Sequence, residues 1–153
     1  MLFRSAQLLG PVRPTRATIS ALRETNPRFA VASASTPLTA RAARKHPPAG
    51  TVFSFRLDQS AAVTIAIQTR AGGRRVGHRC LAPRRKLRRH PQCIRTIALA
   101  TLIRGARQGS NRVSFTGRIS GRALTPRRYQ ARFIAIDSGG VSRPRTLNFT
   151  IVR

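Results

Sequence analysis

Two runs decide the fold: Thr51–Leu57 (TVFSFRL) and Ala62–Thr69 (AVTIAIQT), separated by Asp58-Gln59-Ser60. In the first, Phe53, Phe55 and Leu57 share one face, and in the second Val63, Ile65 and Ile67 do. Apolar residues at every second position mark a strand with one buried face, and the polar tripeptide between the runs is turn chemistry. The pair predicts an antiparallel hairpin.

The pattern recurs downstream. Ile94–Ile103 is a longer β-rich run whose alternation slips, which predicts a bulge. Val113 and Phe115, with Ile119 as a continuation, form another strand. Tyr129–Ile136 places Tyr129, Ala131, Phe133 and Ala135 on one face, and Asp137-Ser138-Gly139-Gly140 ends it as a turn. Leu147, Phe149 and Ile151 form the last strand. Upstream, Arg28–Ala32 (RFAVA) reads as a weak first strand. Helix-period stretches are absent. About seven short strands with regular turns predict an all-β chain, an antiparallel β-sandwich of immunoglobulin-like type. Its core would draw on Phe53, Phe55, Ile65, Ile67, Phe115, Phe133, Phe149 and Ile151.

The expected organisation has three parts. Residues 51–153 are the sandwich, with residues near 28–33 as its first strand. Residues 18–50 are a leader strand and linker, closed by the connector ARAARKHPPAG at Ala40–Gly50. Residues 1–17 are non-native or disordered, because Arg4, Pro11 and Pro14 interrupt both a signal peptide and an amphipathic transit helix. Leu2-Phe3-Arg4-Ser5 is also what the end of a common sequencing adapter encodes. The hypothesis that this start is foreign fails if raw reads carry native coding sequence through it.

Charge is the outlier in the composition. Among 153 residues there are 30 Lys+Arg and 3 Asp+Glu, a net charge of +27. Glu24, Asp58 and Asp137 are the only carboxylates, which excludes a carboxylate-pair glycosidase and an all-oxygen calcium or magnesium cage. Serine nucleophile and P-loop signatures are missing, so the chain is read as no enzyme and as needing no cofactor. No apolar run reaches the roughly 18 residues of a membrane span. Lys45 and Lys86 are the only lysines. The arginine excess is spread along the chain, as a GC-rich genome would also produce, yet it attracts polyanions whatever its origin.

The basic residues are densest between Arg70 and Arg89: Arg70, Arg74, Arg75, Arg79, Arg84, Arg85, Lys86, Arg88 and Arg89. Arginine grips phosphate and carboxylate in a bidentate way, so the loop is a candidate polyanion site, against the bland reading of a solvated loop. It contains no aromatic residue for base stacking, so its binding would be blind to sequence. Cys80 and Cys93 enclose part of it. A disulfide, with the flanking strands as a hairpin, is the stronger reading; a zinc site of His78, Cys80, His90 and Cys93 is the rival, disfavoured by the surrounding cations. Tyr129 follows a Pro126 turn, the setting of a tyrosine corner whose hydroxyl bonds back to upstream backbone. Asp137 reads as a turn cap.

The order FSFRLDQSAAVTIAIQ (53–68), GRRVGHRC (73–80), Cys93, then GSNRVSFTGRISGRALTPRRYQARFIAIDSGGVSRPRTLNFTIVR (109–153) resembles a module of secreted proteins of high-GC actinobacteria, Thermoleophilia-type, often found at their C-termini. The resemblance covers about Arg28 to Arg153. It implies an immunoglobulin-like or fibronectin-type-III-like domain without transferable catalytic residues. It also implies pairing of Cys80 with Cys93, an extracellular or cell-surface location, and upstream domains of a longer chain. Departures are Leu57-Asp58-Gln59 for Leu-Ser-Glu, Arg127 for a turn glycine and Gly140-Val141 for Gly-Asn. The expected function is a structural or adhesion module that binds anionic cell-wall polymers through the basic loop. The alternative is a small basic nucleic-acid-binding protein of ribosomal type; otherwise nucleic acid would be only a non-specific partner.

Overall fold

The computed structural model describes residues 14–32 and 48–153. The chain there is all-β apart from one 3₁₀ turn at Arg85–Leu87. The predicted hairpin does not form: β3 (Thr51–Leu57) leads through the Asp58 turn into β4 (Ala61–Val76), but the two strands pair with other partners and not with each other. They separate into different sheets. β3 lies between β1 (Ile19–Glu24) and β7 (Gly109–Phe115), antiparallel to both. β4 lies between β10 (Arg127–Asp137) and β6 (Gln92–Ala106). β12 (Arg145–Val152) flanks β10, and β2 (Arg28–Ala30) closes that edge by running parallel to β12.

The inward faces of the two sheets meet over phenylalanines. Phe53 of β3 stacks on Phe115 of β7 (centroids 5.6 Å) and meets Phe133 of β10 edge-on at 5.4 Å. Phe149 of β12 lies 5.5 Å from Phe29 of β2 and 5.6 Å from Phe115. All eight expected core residues are buried, joined by Phe29, Val63, Ala131 and Ala135. Each large side chain removed from water contributes about 1.5–3 kcal/mol, which places the stability of the molecule in this layer.

Four further expectations need correction. The core reaches upstream of the first strand expected near residue 28: Ala17 and Ile19 are buried at 2% and 3% exposure, and β1 is a full member of the smaller sheet. The folded unit therefore includes Ala17 and β1, which the expected boundaries left in the non-native and leader segments; residues 1–13 and 33–47 lie outside the described residues. Ile119 does not continue β7, because Gly117 takes φ +82° and breaks the strand. It pairs instead in a small ribbon, β8 (Arg118–Ile119) with β9 (Arg122–Ala123), across Ser120 and Gly121 at φ +51° and +77°. Two successive positive φ values make a type I′ turn, whose twist suits a two-residue hairpin. The strands are also more numerous than seven, since β1, β5 (Arg79–Leu81), β8, β9 and β11 (Gly140–Val141) were unforeseen. Finally, the hairpin around the cysteines turns elsewhere. β4 reverses at Gly77 (φ +61°) and His78 and returns as β5, upstream of the basic loop.

The slip in Ile94–Ile103 is a bulge: Ile67 pairs with Ala100 and Gln68 with Ala98, leaving Leu99 as the extra residue. β6 bends here, where the β4–β6 ribbon leaves the body.

Candidate polyanion-binding arm and groove

β10 accompanies β4 only as far as the pair Gln130–Gln68. Beyond it β4 runs eight more residues, about 26 Å at the usual strand rise. β6 stays on one side of it, from Thr69–Ile97 to Arg74–Gln92, and β5 takes the place vacated by β10. The result is a three-stranded arm projecting from the larger sheet.

The arm has no hydrophobic core. Between Arg70 and Ile97 the only buried residue is Gly73. Cys80 of β5 and Cys93 of β6 instead close the arm over β4, as a disulfide with Cα atoms 5.9 Å apart. Cys80 pairs with Arg75 and Cys93 with Gly73, so the bridge joins the strands on either side of β4. Gly73 makes this closure possible: a Cβ there would stand 2.7 Å from Cys80 Sγ and 2.5 Å from the Leu81 carbonyl oxygen. Arg74 donates to the His90 carbonyl (3.0 Å) and the Arg75 amide to that of Pro91 (2.8 Å), which fixes the end of the loop.

The expected basic residues come together here. Arg75, Arg79, Arg84, Arg85, Lys86, Arg88 and Arg89 are exposed, while Arg74 is half-buried by its bond to His90. No carboxylate occurs between Asp58 and Asp137, and both lie at the far end of β4. The zinc reading is overturned, because both sulfurs that would ligate the metal are spent in the disulfide. Among the described residues no three His, Cys, Asp or Glu side chains gather closely enough for a metal.

A second feature lies at the base of the arm. The register sets Arg28 of β2 opposite Thr150 of β12, and Thr150 opposite Arg128 of β10. Continuing the β10–β4 register puts Arg70 beside Arg128. The Arg127 guanidinium donates to the Arg70 carbonyl at 3.3 Å. These four arginines line an open groove of about 880 Å³, with Gln130 and Asn148 among its other walls. The adjacent row is an amide ladder: Gln68 donates to Gln130 at 2.7 Å and Gln130 to Asn148 at 3.4 Å.

Tyr129 and Asp137 hold structure. The buried Tyr129 hydroxyl donates to the Thr125 carbonyl at 2.7 Å, as a tyrosine corner requires. Asp137 caps its turn through Gly139 N–H (2.8 Å) and also accepts from Ala17 N–H (3.1 Å) and the Gln59 amide. The Gln59 bond and those from backbone amides hold its carboxyl below the usual range. Glu24 is shifted the other way, raised by burial, and its Oε2 has no hydrogen-bond partner.

No protein-family model matches the chain, and none of the curated proteins matches it. Among solved structures the chain is similar to an alkylpurine DNA glycosylase, AlkC of Pseudomonas fluorescens, bound to DNA containing an abasic site analogue. The identity is 12% and the TM-score 0.36, over 91% of this chain and 31% of the glycosylase. The chain thus spans about a third of that protein's length, at a similarity too low to carry an argument.

Proposed function

We propose that the chain is a non-catalytic immunoglobulin-like module of a secreted or surface protein, and that it binds anionic polymers of a cell wall through its disulfide-closed arm. The carrying observation is the arm itself: a projecting, coreless ribbon that exposes Arg75, Arg79, Arg84, Arg85, Lys86, Arg88 and Arg89 and carries no carboxylate. A segment that contributes no core and is nonetheless closed covalently fits an element kept in shape for contact.

The strand order supports the immunoglobulin-like reading. β1, β3 and β7 correspond to strands A, B and E, and β4, β6, β10 and β12 to C, C′, F and G. Tyr129 then falls near the start of strand F, where such domains carry their tyrosine corner. Ala131 stands two residues on, where antibody domains place a cysteine, so the inter-sheet disulfide is replaced by aromatic packing. The disulfide in the arm suits an oxidising compartment. No helix among the described residues is long and apolar enough to cross a membrane. The non-catalytic reading is supported by the engagement of the aspartates: Asp137 is capped as described, and Asp58 accepts from Thr18 N–H at 2.7 Å.

Anionic polymers are favoured over nucleic acid because each aromatic residue of the described chain is buried, which leaves no stacking platform. Replacing Arg84, Arg85, Lys86, Arg88 and Arg89 with glutamine tests the proposal. The variant should elute from immobilised wall polymer at lower salt, with a flatter dependence of log K on log salt. Unchanged elution defeats it, and tighter binding of duplex RNA than of wall polymer at physiological salt returns the nucleic-acid reading.

A further inference from the structure

The geometry points to a second binding site at the base of the arm, one that reads an anionic glycan or polyol chain by its hydroxyls as well as its charge. The inference rests on the polymer-binding reading and adds the chemical class of the ligand.

Tyr129, Phe149 and Thr69 are buried, so their strand neighbours Arg128, Gln130, Asn148, Thr150, Gln68 and Arg70 face outward. Across this face Arg28 and Arg128 are two strand spacings apart, about 9.6 Å, and Arg128 and Arg70 one spacing, about 4.8 Å. Like charges on neighbouring strands disfavour the sheet that holds them. No carboxylate lines the groove, so folding gives this juxtaposition no compensation. A bound anion would relieve it, since a guanidinium fork matches the paired oxygens of a phosphate, sulfate or carboxylate.

The amide row makes the site more than a charge patch. Arginine only donates hydrogen bonds, whereas a primary amide both donates and accepts, as a hydroxyl does. The ladder points one way, so its bonds leave the Gln68 carbonyl oxygen and the Asn148 amino group at its two ends. A groove with a row of arginines and a parallel row of amides suits a chain that presents negative charge on one side and hydroxyls on the other. A polyphosphate lacks the hydroxyls, and DNA carries none along its backbone.

The test uses the full chain and three probes of matched charge: dextran sulfate, inorganic polyphosphate and duplex DNA. Gln130→Ala should weaken dextran sulfate about fivefold, the effect of one net hydrogen bond, and leave polyphosphate within twofold. Asn148→Ala, at an exposed position, should act the same way should Gln130→Ala fail to fold. Arg128→Ala should weaken all three. Equal effects of Gln130→Ala on dextran sulfate and polyphosphate, or none on either, overturn the inference. So does wild-type protein that binds duplex DNA or polyphosphate more tightly than dextran sulfate. The loop glutamine variant separates the two claims: if it binds all polymers more weakly while the amide variants are silent, the arm binds and the groove does not read hydroxyls.

Discussion

Removing the disulfide should melt the arm and spare the body. The perturbation is the double substitution Cys80→Ser with Cys93→Ser. The bridge spans 13 positions, and closing a loop of that size is worth about 3 kcal/mol in the chain-entropy model. Where that energy is felt follows from burial. The arm contributes only Gly73 to the interior, whereas Phe133, Ile65 and Phe53 are fully buried in the body. Opening the arm therefore costs little apolar surface, and the unbridged arm can open without global unfolding. The three pairs of β5 should go first, ahead of the longer β4–β6 ladder. Native-state hydrogen exchange reads this directly. At 1.4 kcal/mol per decade, protection of the Arg75 and His90 amides should fall about 100-fold. The amides of Ile65 and Phe133 should hold their protection. Polymer binding should weaken while its salt slope stays, because the number of charges is unchanged and only their preorganisation is lost. Equal loss of protection in arm and body, or an Arg75 amide that does not change, would refute the view of the arm as a separately held unit.

Other perturbations probe single contacts. Gly73→Ala should reproduce the exchange pattern of the cysteine double variant, because its Cβ would collide with Cys80 Sγ and the Leu81 carbonyl; a fully formed disulfide in that variant, seen by intact mass, would count against the collision. Tyr129→Phe removes a buried hydroxyl bond to Thr125 and should cost about 1 kcal/mol, a fall in Tm of about 4 °C by calorimetry. Ala21 sits at φ +50° in the β1 bulge, so Ala21→Gly should stabilise by about 1 kcal/mol in urea unfolding. The lowered Asp137 contributes stability above its unfolded value near 3.8 that is lost as pH falls through its folded value. The raised Glu24 contributes stability below its unfolded value near 4.5 that is lost as pH rises through its folded value. Asp137→Asn should thus flatten the acid limb of stability against pH, and Glu24→Gln should stabilise at neutral pH.

The body was legible because its code is local. Alternation in 51–57, 62–69 and 129–136 assigned the buried face residue by residue, and every core position named from it is buried. β1 was hidden by its bulge. Ile19 and Leu22 are three apart, and only the left-handed Ala21 lets both turn toward the core, so the run ISALRE has no period-two signature. Arm residues were legible as charge and paired cysteines, but their construction was not. Glycine at 73 reads as flexibility until the strand beside it is known. The groove left no local mark at all: Arg28, Arg70 and Arg128 stand far apart in sequence and meet only through strand register.

That division bears on the function. Core residues could exchange among apolar side chains of similar volume at small cost, and nothing in the interior reports on a ligand. Charge, by contrast, is not placed for stability: the acid-free stretch from Gln59 to Ile136 holds the arm and most of the groove, where guanidinium groups stand side by side without a compensating carboxylate. Here the arm is held in shape by a covalent bridge and a glycine that only close packing of β5 and the disulfide requires, and its base continues into a row fixed by four strands. A genome-wide bias accounts for the number of arginines but not for a scaffold that holds this set of them in a fixed arrangement, which is why the binding experiments above compare positions and not total charge.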